Sequence, residues 1–455
     1  MNFSRIHLMR FTVPLALAAL GALLCAVLVP GESEAVRQQL IGFPDSDVLA
    51  HQARPIVLGA LCFLPALASL IYSLGGTLDR YIAREFIGTF GICLAALMTI
   101  LLLMDVSDNI GDFRQSEQTM RTMGRFYATA APAFLLLLLP YSLLLALLYA
   151  LGKLSGNREI IAMIQGGRSV IRITLPLLIA GLFFSLFSIG LNYHWAPIAE
   201  GRQEEILAEA RGKQATEATN VLYRDPASRR LWMIGSFPKD YQNGAPLQNV
   251  EITTTRDDKS LESRLTAKRA SWDRDNHAWT FDDAVVGNYR PNEPPVFQTG
   301  TKAVVMDSWP ETPWQLIKPG LSAGYLGVPD LSSWLRAYSK NQPFADPAAY
   351  QTQWHYRWAL PFTCLVTVML ATPLGVHFAR RGPGGGIFLA VALSALMMLV
   401  GGMSVALGEA GTVPPVWAAW LPNIGFTLVG AYLFRRRITG QPIYLVLRRL
   451  FPVND

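Results

Sequence analysis

Eight apolar runs, at about residues 11–29, 55–74, 86–104, 127–150, 173–193, 358–376, 387–407 and 416–434, decide what this chain can fold into. Each holds about 20 residues, which as helix cover roughly 30 Å, the thickness of a bilayer's hydrocarbon core. With 51% hydrophobic and only 16% charged residues, the chain reads as a polytopic α-helical membrane protein of about eight spans. Arg5 and Arg10 precede the first run as they would in a signal peptide. No small-x-small cleavage site follows it, however, and the run is long for a signal core, so it reads as an uncleaved span.

Basic residues set the expected orientation. With the N-terminus in the cytoplasm, the inner segments hold 15 basic residues: Arg5, Arg10, Arg80, Arg84, Lys153, Arg158, Arg168, Arg172, Arg380, Arg381, Arg435, Arg436, Arg437, Arg448 and Arg449. Against them stand four acids, Asp79, Glu85, Glu159 and Asp455. The short outer loops, 31–54, 105–126 and 408–415, carry five arginines and nine acids. Both termini and the island 151–172 are therefore expected inside.

Residues 194–356 run on the outer side without a span. Their opening, 199–213, has a helical pattern. Six runs rich in β-formers follow, at 220–224, 230–237, 249–255, 263–272, 278–286 and 296–306, and predict a β-sandwich or jelly roll. Trp232, Trp272, Trp279 and Phe281 are its expected core, and 330–340 reads as a helix leading back to the membrane. The four cysteines sit inside apolar runs, with neither disulfide nor metal-ligand spacing.

The polar island reads LGKLSGNREIIAMIQGGRSVIR. Asn157 suits an N-cap, Glu159 the first turn of a helix, and Gly166-Gly167 a stop. Ile160, Ile161, Met163 and Ile164 then predict an exposed, oily helix of about two and a half turns. Such a helix suits capture by a protein outside the membrane. It equally suits lying in the interface plane with its isoleucines among headgroups, and the island's residues alone leave both open.

The middles of the eight runs hold no charged residue, the usual mark of ion coupling or intramembrane catalysis. Gly152-Lys153 is followed by Leu154, without the glycines and Ser/Thr of a phosphate-binding loop, and no HExxH or G-x-S-x-G occurs. His194 and His355 flank spans but read as structural. The expectation is a non-catalytic protein with no cofactor, metal or nucleic acid, whose energy arrives through a partner.

From Leu78 onward the chain resembles the LptF/LptG permeases, membrane subunits of the ABC machine that extracts lipopolysaccharide. The resemblance rests on LDRYIAREFIGTF, LGKLSGNREIIAMIQGGRS, LNYHWAPIAEGR, QWHYRWALPFTCLVTVMLATPLGV, a Gly-rich turn at 382–386 and VWAAWLPNIGFTLVGAYLFRRR. It implies six family spans with a periplasmic β-jelly-roll domain between the third and fourth, in the bacterial inner membrane. Implied partners are a cytoplasmic ABC ATPase dimer, a second LptF/LptG-type permease, periplasmic jelly-roll bridge proteins, and lipopolysaccharide or a related lipid.

In the family the short inner helix docks in a groove on the ATPase, its acid against a basic residue. That assigns Glu159, Ile160, Ile161 and Met163 to ATPase coupling. The first and fifth family spans line the lipid cavity and its lateral gate, which makes Phe90, Leu97, Leu101, Asp105, Leu399 and Met403 the candidates here. The β-domain residues Val250, Ile252, Leu261, Leu265, Val304 and Met306 suit either an acyl-chain surface or a closed core.

The resulting division is 1–77, an extension with two spans; 78–198, three family spans with a coupling helix at about 156–166; 199–330, the β-domain; and 331–455, a linker helix, three family spans and a basic tail. Two features depart from the family pattern. The extension is extra, and is expected to pack beside the first family span. Asp105 stands where a basic residue would better suit lipid phosphates. A competing function is a membrane-anchored receptor or scaffold without transport activity.

Overall fold

The computed structural model describes residues 3–439 apart from 40–47, 117, 212–215, 226–227, 239–240, 242–243, 257–259, 274–275, 277, 291–293, 300–303, 308, 310, 318–319, 338–346 and 377–383. Arg380, Arg381, Arg448 and Arg449, and the start of the Gly-rich turn, lie outside the described residues. A helical hairpin, α1 (Phe3–Gln39) and α2 (Val48–Leu74), opens the chain and turns at Gly75 into α3 (Thr77–Phe113). Then come α4 (Thr119–Gly156), α5 (Glu159–Gln165), α6 (Val170–Tyr193) and α7 (Trp195–Ala210). After a β-domain and the short helices α8 (Pro313–Ile317) and α9 (Val328–Ala337), the chain returns as α10 (Pro347–Ala359) and α11 (Thr363–Gly375), joined by a 3-10 turn. It closes with α12 (Gly384–Glu409) and α13 (Pro415–Ile438).

Eight helical stretches are long and apolar enough to cross a membrane, with α10 and α11 sharing one of them. The helices outrun the apolar runs that announce them: α3 has 37 residues, extending past both ends of the run at 86–104. The bundle's core centres on α4, whose Leu143, Leu147 and Leu151 are sealed against α3, α6 and α11. Close approach depends on small residues there. A Cβ at Gly375 would sit 2.9 Å from that of Leu151.

The inserted domain is an antiparallel sheet of β1 (Thr216–Asp225), β2 (Arg230–Pro238), β3 (Leu247–Thr255), β4 (Leu261–Asp273), β5 (Ala278–Asp282), β6 (Val285–Asn288), β7 (Val296–Thr299) and β8 (Val304–Met306). The expected strand at 278–286 divides in two at Asp283, which takes a left-handed φ of 53°. Both halves continue along β4, as β5 and then β6. The expected run 296–306 divides likewise, β7 pairing with β6 and β8 with β5. Among the described strands β1 to β5 pair in chain order, and β8 returns to pair with β5 across the intervening β6 and β7, an inserted antiparallel β-domain of the kind expected.

One sheet face is buried and the other faces outward, as antiparallel sheets allow. Trp232, Ile234, Trp279 and Phe281 pack with Val250, Ile252 and Leu265 under Leu316 and Ile317 of α8 and Leu331 and Trp334 of α9. Those three aliphatic residues thus belong to a closed core. Val304 and Met306 lie at its margin, and Leu261 is half-buried at the start of β4. Glu311 ties the α8 end down: it accepts from Ser228 at 2.7 Å and from Arg230 at 2.8 and 3.1 Å, while Trp279 Nε1 donates to its carbonyl at 2.7 Å.

Candidate functional site: the α4–α6 turn and the α4–α12 cleft

Between α4 and α6 the backbone reverses twice. Asn157 caps the C-terminus of α4 rather than the N-terminus of α5, and Arg158 precedes α5 with a left-handed φ of 58°. No side-chain cap forms on Arg158. At the other end Gly167 takes φ +86° and Arg168 N–H closes back onto the Met163 carbonyl at 3.1 Å, the glycine stop that the sequence announces. Ser169 then caps α6, accepting from Arg172 N–H.

The α5 helix has seven residues and is not oily on all sides. Ile160 is 1% exposed and packs into the bundle's core, with Met163 and Ile164 laid against the same cluster. Ile160 therefore anchors α5 to its own bundle instead of offering surface to a partner. Its apolar neighbours on α3 and α4 explain the inward turn: a seven-residue helix lies flat only if one face is buried. Ile161 is half-buried, and Ala162 and Gln165 are exposed. Glu159 stays at the rim, where Tyr81 Oη donates to Oε2 at 2.8 Å and Asn157 Nδ2 donates to Oε1 at 3.2 Å. Two ion pairs flank it, Lys153 to Glu85 at 2.5 Å and Arg172 to Asp79 at 3.7 Å.

The lipid-gate candidates scatter. Phe90 is 8% exposed and packs 4.4 Å, centroid to centroid, from Phe184 of α6, so it is core. Leu97 and Leu101 are half-buried along α3. Asp105 accepts from Tyr127 Oη at 2.9 Å, a contact within the α3–α4 pair. Leu399 and Met403, 59% and 58% exposed, face away from the bundle on α12. The helices that carry these residues do not run side by side: α3 packs on α4 and α6, whereas α12 packs on α13, α10 and α11.

A cleft of about 470 Å³ opens instead between α4, α7, α10, α12 and α13. Leu136, Leu137, Pro140, Met397, Met398 and Val405 give it apolar walls, and Gly401 and Gly402 widen it. Its far end is polar, with Glu200, Gln353, Arg357 and Asn423. Arg357 donates to the Leu326 carbonyl at 3.2 Å and to that of Gly324, so its guanidinium is held in place. Burial raises the Glu200 carboxyl above the ordinary carboxylate range, with Arg357 opposing. Hydrocarbon walls ending in a mixed-charge patch suit an amphipathic molecule.

The cleft shares α12 with the candidates Leu399 and Met403 but is lined by another face of that helix. Met397, Gly401 and Val405 recur every fourth residue and face in, while Leu399 and Met403 lie two positions round, about 200° away. That periodicity was available. The polar end was not, because Glu200 and Gln353 come together only through the tertiary fold. Among the described residues no cluster of three or more His, Cys, Asp or Glu could hold a metal ion.

The family profile described as lipopolysaccharide export system permease LptF/LptG matches residues 80–436. The chain belongs to the LptF/LptG family. No curated protein matches the chain. The LptF/LptG match takes in the six spans from α3 onward, the β-sheet, α5 and the cleft, so the chain is a multi-pass permease component of lipopolysaccharide export. The α1–α2 hairpin lies outside the match.

That hairpin does not sit where the sequence suggested. Its α2 meets α3 only at the connecting turn and runs instead along α6, the third LptF/LptG span. A Cβ at Gly190 would come within 2.3 Å of Leu61 Cδ2, so any larger residue there must push the Leu61 side chain aside. At the α7 end of α6 Tyr193 Oη donates to the Ala50 carbonyl at 2.8 Å. There His51 and His194 each stand 3.9 Å from one carboxylate oxygen of Asp330, beside Arg54, which pairs with Glu32 at 2.5 Å. Burial, with Arg54, Arg202 and His51 nearby, holds the His194 imidazole well below its usual range.

Proposed function

We propose that this LptF/LptG chain is the permease subunit of an ABC exporter, extracting lipopolysaccharide or a related glycolipid from the inner membrane and passing it toward the outer membrane. A separate cytoplasmic ATPase dimer drives it, gripping the α4–α6 turn. The observation that carries this reading is the rim of α5: Glu159, Ile161 and Ala162 stand on a short helix whose other face is fixed to the bundle. A handle must be rigidly mounted to transmit force, and Ile160 supplies the mount.

The remaining parts fit the same reading. Both termini and α5 lie in the cytoplasm and the sheet in the periplasm, following the basic residues. A second permease completes the lipid path between α3 and α12, which one chain leaves apart. The open edge of the sheet, where Val296 and Phe297 of β7 are 55% and 61% exposed, suits strand addition by a periplasmic jelly-roll bridge protein. The cleft takes part of the lipid. The working division is a two-helix extension to residue 77, a coupling half to 198, the sheet domain to 330 and a closing half to 455.

The test is co-elution. Purified from membranes with its neighbours, the chain should bring an ATPase with it, and Glu159→Lys should release that ATPase while the permease stays folded. A receptor or scaffold predicts no ATPase and no response to the substitution.

A further inference from the structure

Three polar contacts join the α4–α6 turn to one stretch of α3, and all lie within two turns of that helix. Asp79 holds Arg172 at the start of α6, Tyr81 holds Glu159 on α5, and Glu85 holds Lys153 near the end of α4. Below them Ile82 and Phe86 of α3 enter the same core as Ile160. The turn is therefore tied to α3 at its beginning, middle and end by polar contacts, above a core that both share.

From there α3 runs 37 residues without a proline, about 55 Å as continuous helix. The helices α1, α2, α4, α6, α11 and α13 each contain at least one proline, so α3 lacks their built-in bending points. Its outer tip is as firmly held as its base. Asp112 takes a bidentate contact from Arg211, the residue that ends α7 just before the sheet. Phe113 is fully buried against Phe126 and Ile206, and Arg125 pairs with Glu209 at 3.6 Å.

We propose that α3 and the α4–α6 turn form one mechanical unit, with Tyr81 as its positioning residue, so that a push on α5 is delivered to the root of the β-domain through Asp112 and Arg211. The proposal rests on the reading of α5 as the ATPase's handle. Tyr81 suits the role because it is a neutral donor. It holds the Glu159 carboxylate in place while leaving its charge for a basic partner, and its hydroxyl is the one α3 donor on that acid among the described contacts.

The test uses the full complex in nanodiscs, with spin labels on non-canonical amino acids that spare the native thiols. One label at Ala162 on α5 is paired either with Gly88 on α3 or with Leu428 on α13, all exposed positions. Trapping with a non-hydrolysable ATP analogue should shift the 162–428 distance and leave 162–88 as it was. Tyr81→Phe, which removes only the hydroxyl, should make 162–88 change on trapping and lower lipopolysaccharide released per ATP by about three- to tenfold, the scale of one ordinary hydrogen bond at an exposed site. A 162–88 distance that shifts in the unsubstituted protein overturns the proposal, as does Tyr81→Phe with full release per ATP. If neither pair moves although the ATPase is bound, the handle reading itself has failed.

Discussion

Replacing Arg230 by Met should open the β-domain. Glu311 is buried, with its carboxylate 2% exposed, and depends on the Arg230 fork together with the Ser228 hydroxyl. Removing the arginine leaves a carboxylate in a site walled by Trp232, Trp279 and Trp309, and also forfeits the stacking of the guanidinium 4.6 Å above Trp309. Breaking a buried pair from one side costs about 3–5 kcal/mol. At 1.4 kcal/mol per decade, amides of β2 and β3 that exchange through domain opening should lose roughly 10²- to 10³-fold of their protection. The double variant Arg230→Met, Glu311→Leu removes both charges and should recover most of that loss. Hydrogen exchange by mass spectrometry on the full chain reads both variants directly. Unchanged exchange in Arg230→Met, or a double variant as open as the single one, would refute the claim that the pair holds α8 onto the sheet.

Three further outcomes follow from other sites. Gly401→Leu adds a side chain where a Cβ meets nothing within 4 Å; it should fold normally, narrow the cleft and lower lipopolysaccharide photocrosslinking from Met397 several-fold, and undiminished crosslinking would remove the cleft from the lipid path. Gly190→Val forces Leu61 aside and should raise exchange along α2, whereas equal protection would mean that the hairpin is not held at that point. His194 faces His51, Arg54, Arg202 and Asp330 and resists protonation in the folded state. An opened state then binds the extra proton, so local stability at 190–196 should fall as pH drops below about 6.5, and exchange there that is flat from pH 7.5 to 5 contradicts the assignment.

How much was legible in the sequence depended on which force was being read. Hydropathy located all eight spans, because burial in hydrocarbon needs an unbroken apolar run. It misplaced their ends, because a helix keeps its hydrogen bonds after leaving the bilayer; α3 continues to Phe113, well past Met104. Alternation placed the strands closely, with 230–237 expected and Arg230–Pro238 found. It missed the break at Asp283, since a single left-handed residue leaves no trace in a hydrophobic pattern. On α5 the spacing of isoleucines gave the helix but not its facing, and the core took Ile160. Tyr81 on Glu159 joins residues 78 positions apart; only the packing of α3 on α4 and α6, which carry α5 between them, brings them together.

The hairpin along α6 has a consequence for anyone trimming this chain to its family core. His194 and Asp330 belong to the matched region, yet two side chains that stand against them, His51 and Arg54, come from outside it. A version beginning at Thr77 would uncover a buried imidazole and a buried carboxylate at the foot of the sheet domain, and a buried polar group stripped of its partners is costly. What the family match leaves out is, for this molecule, foundation.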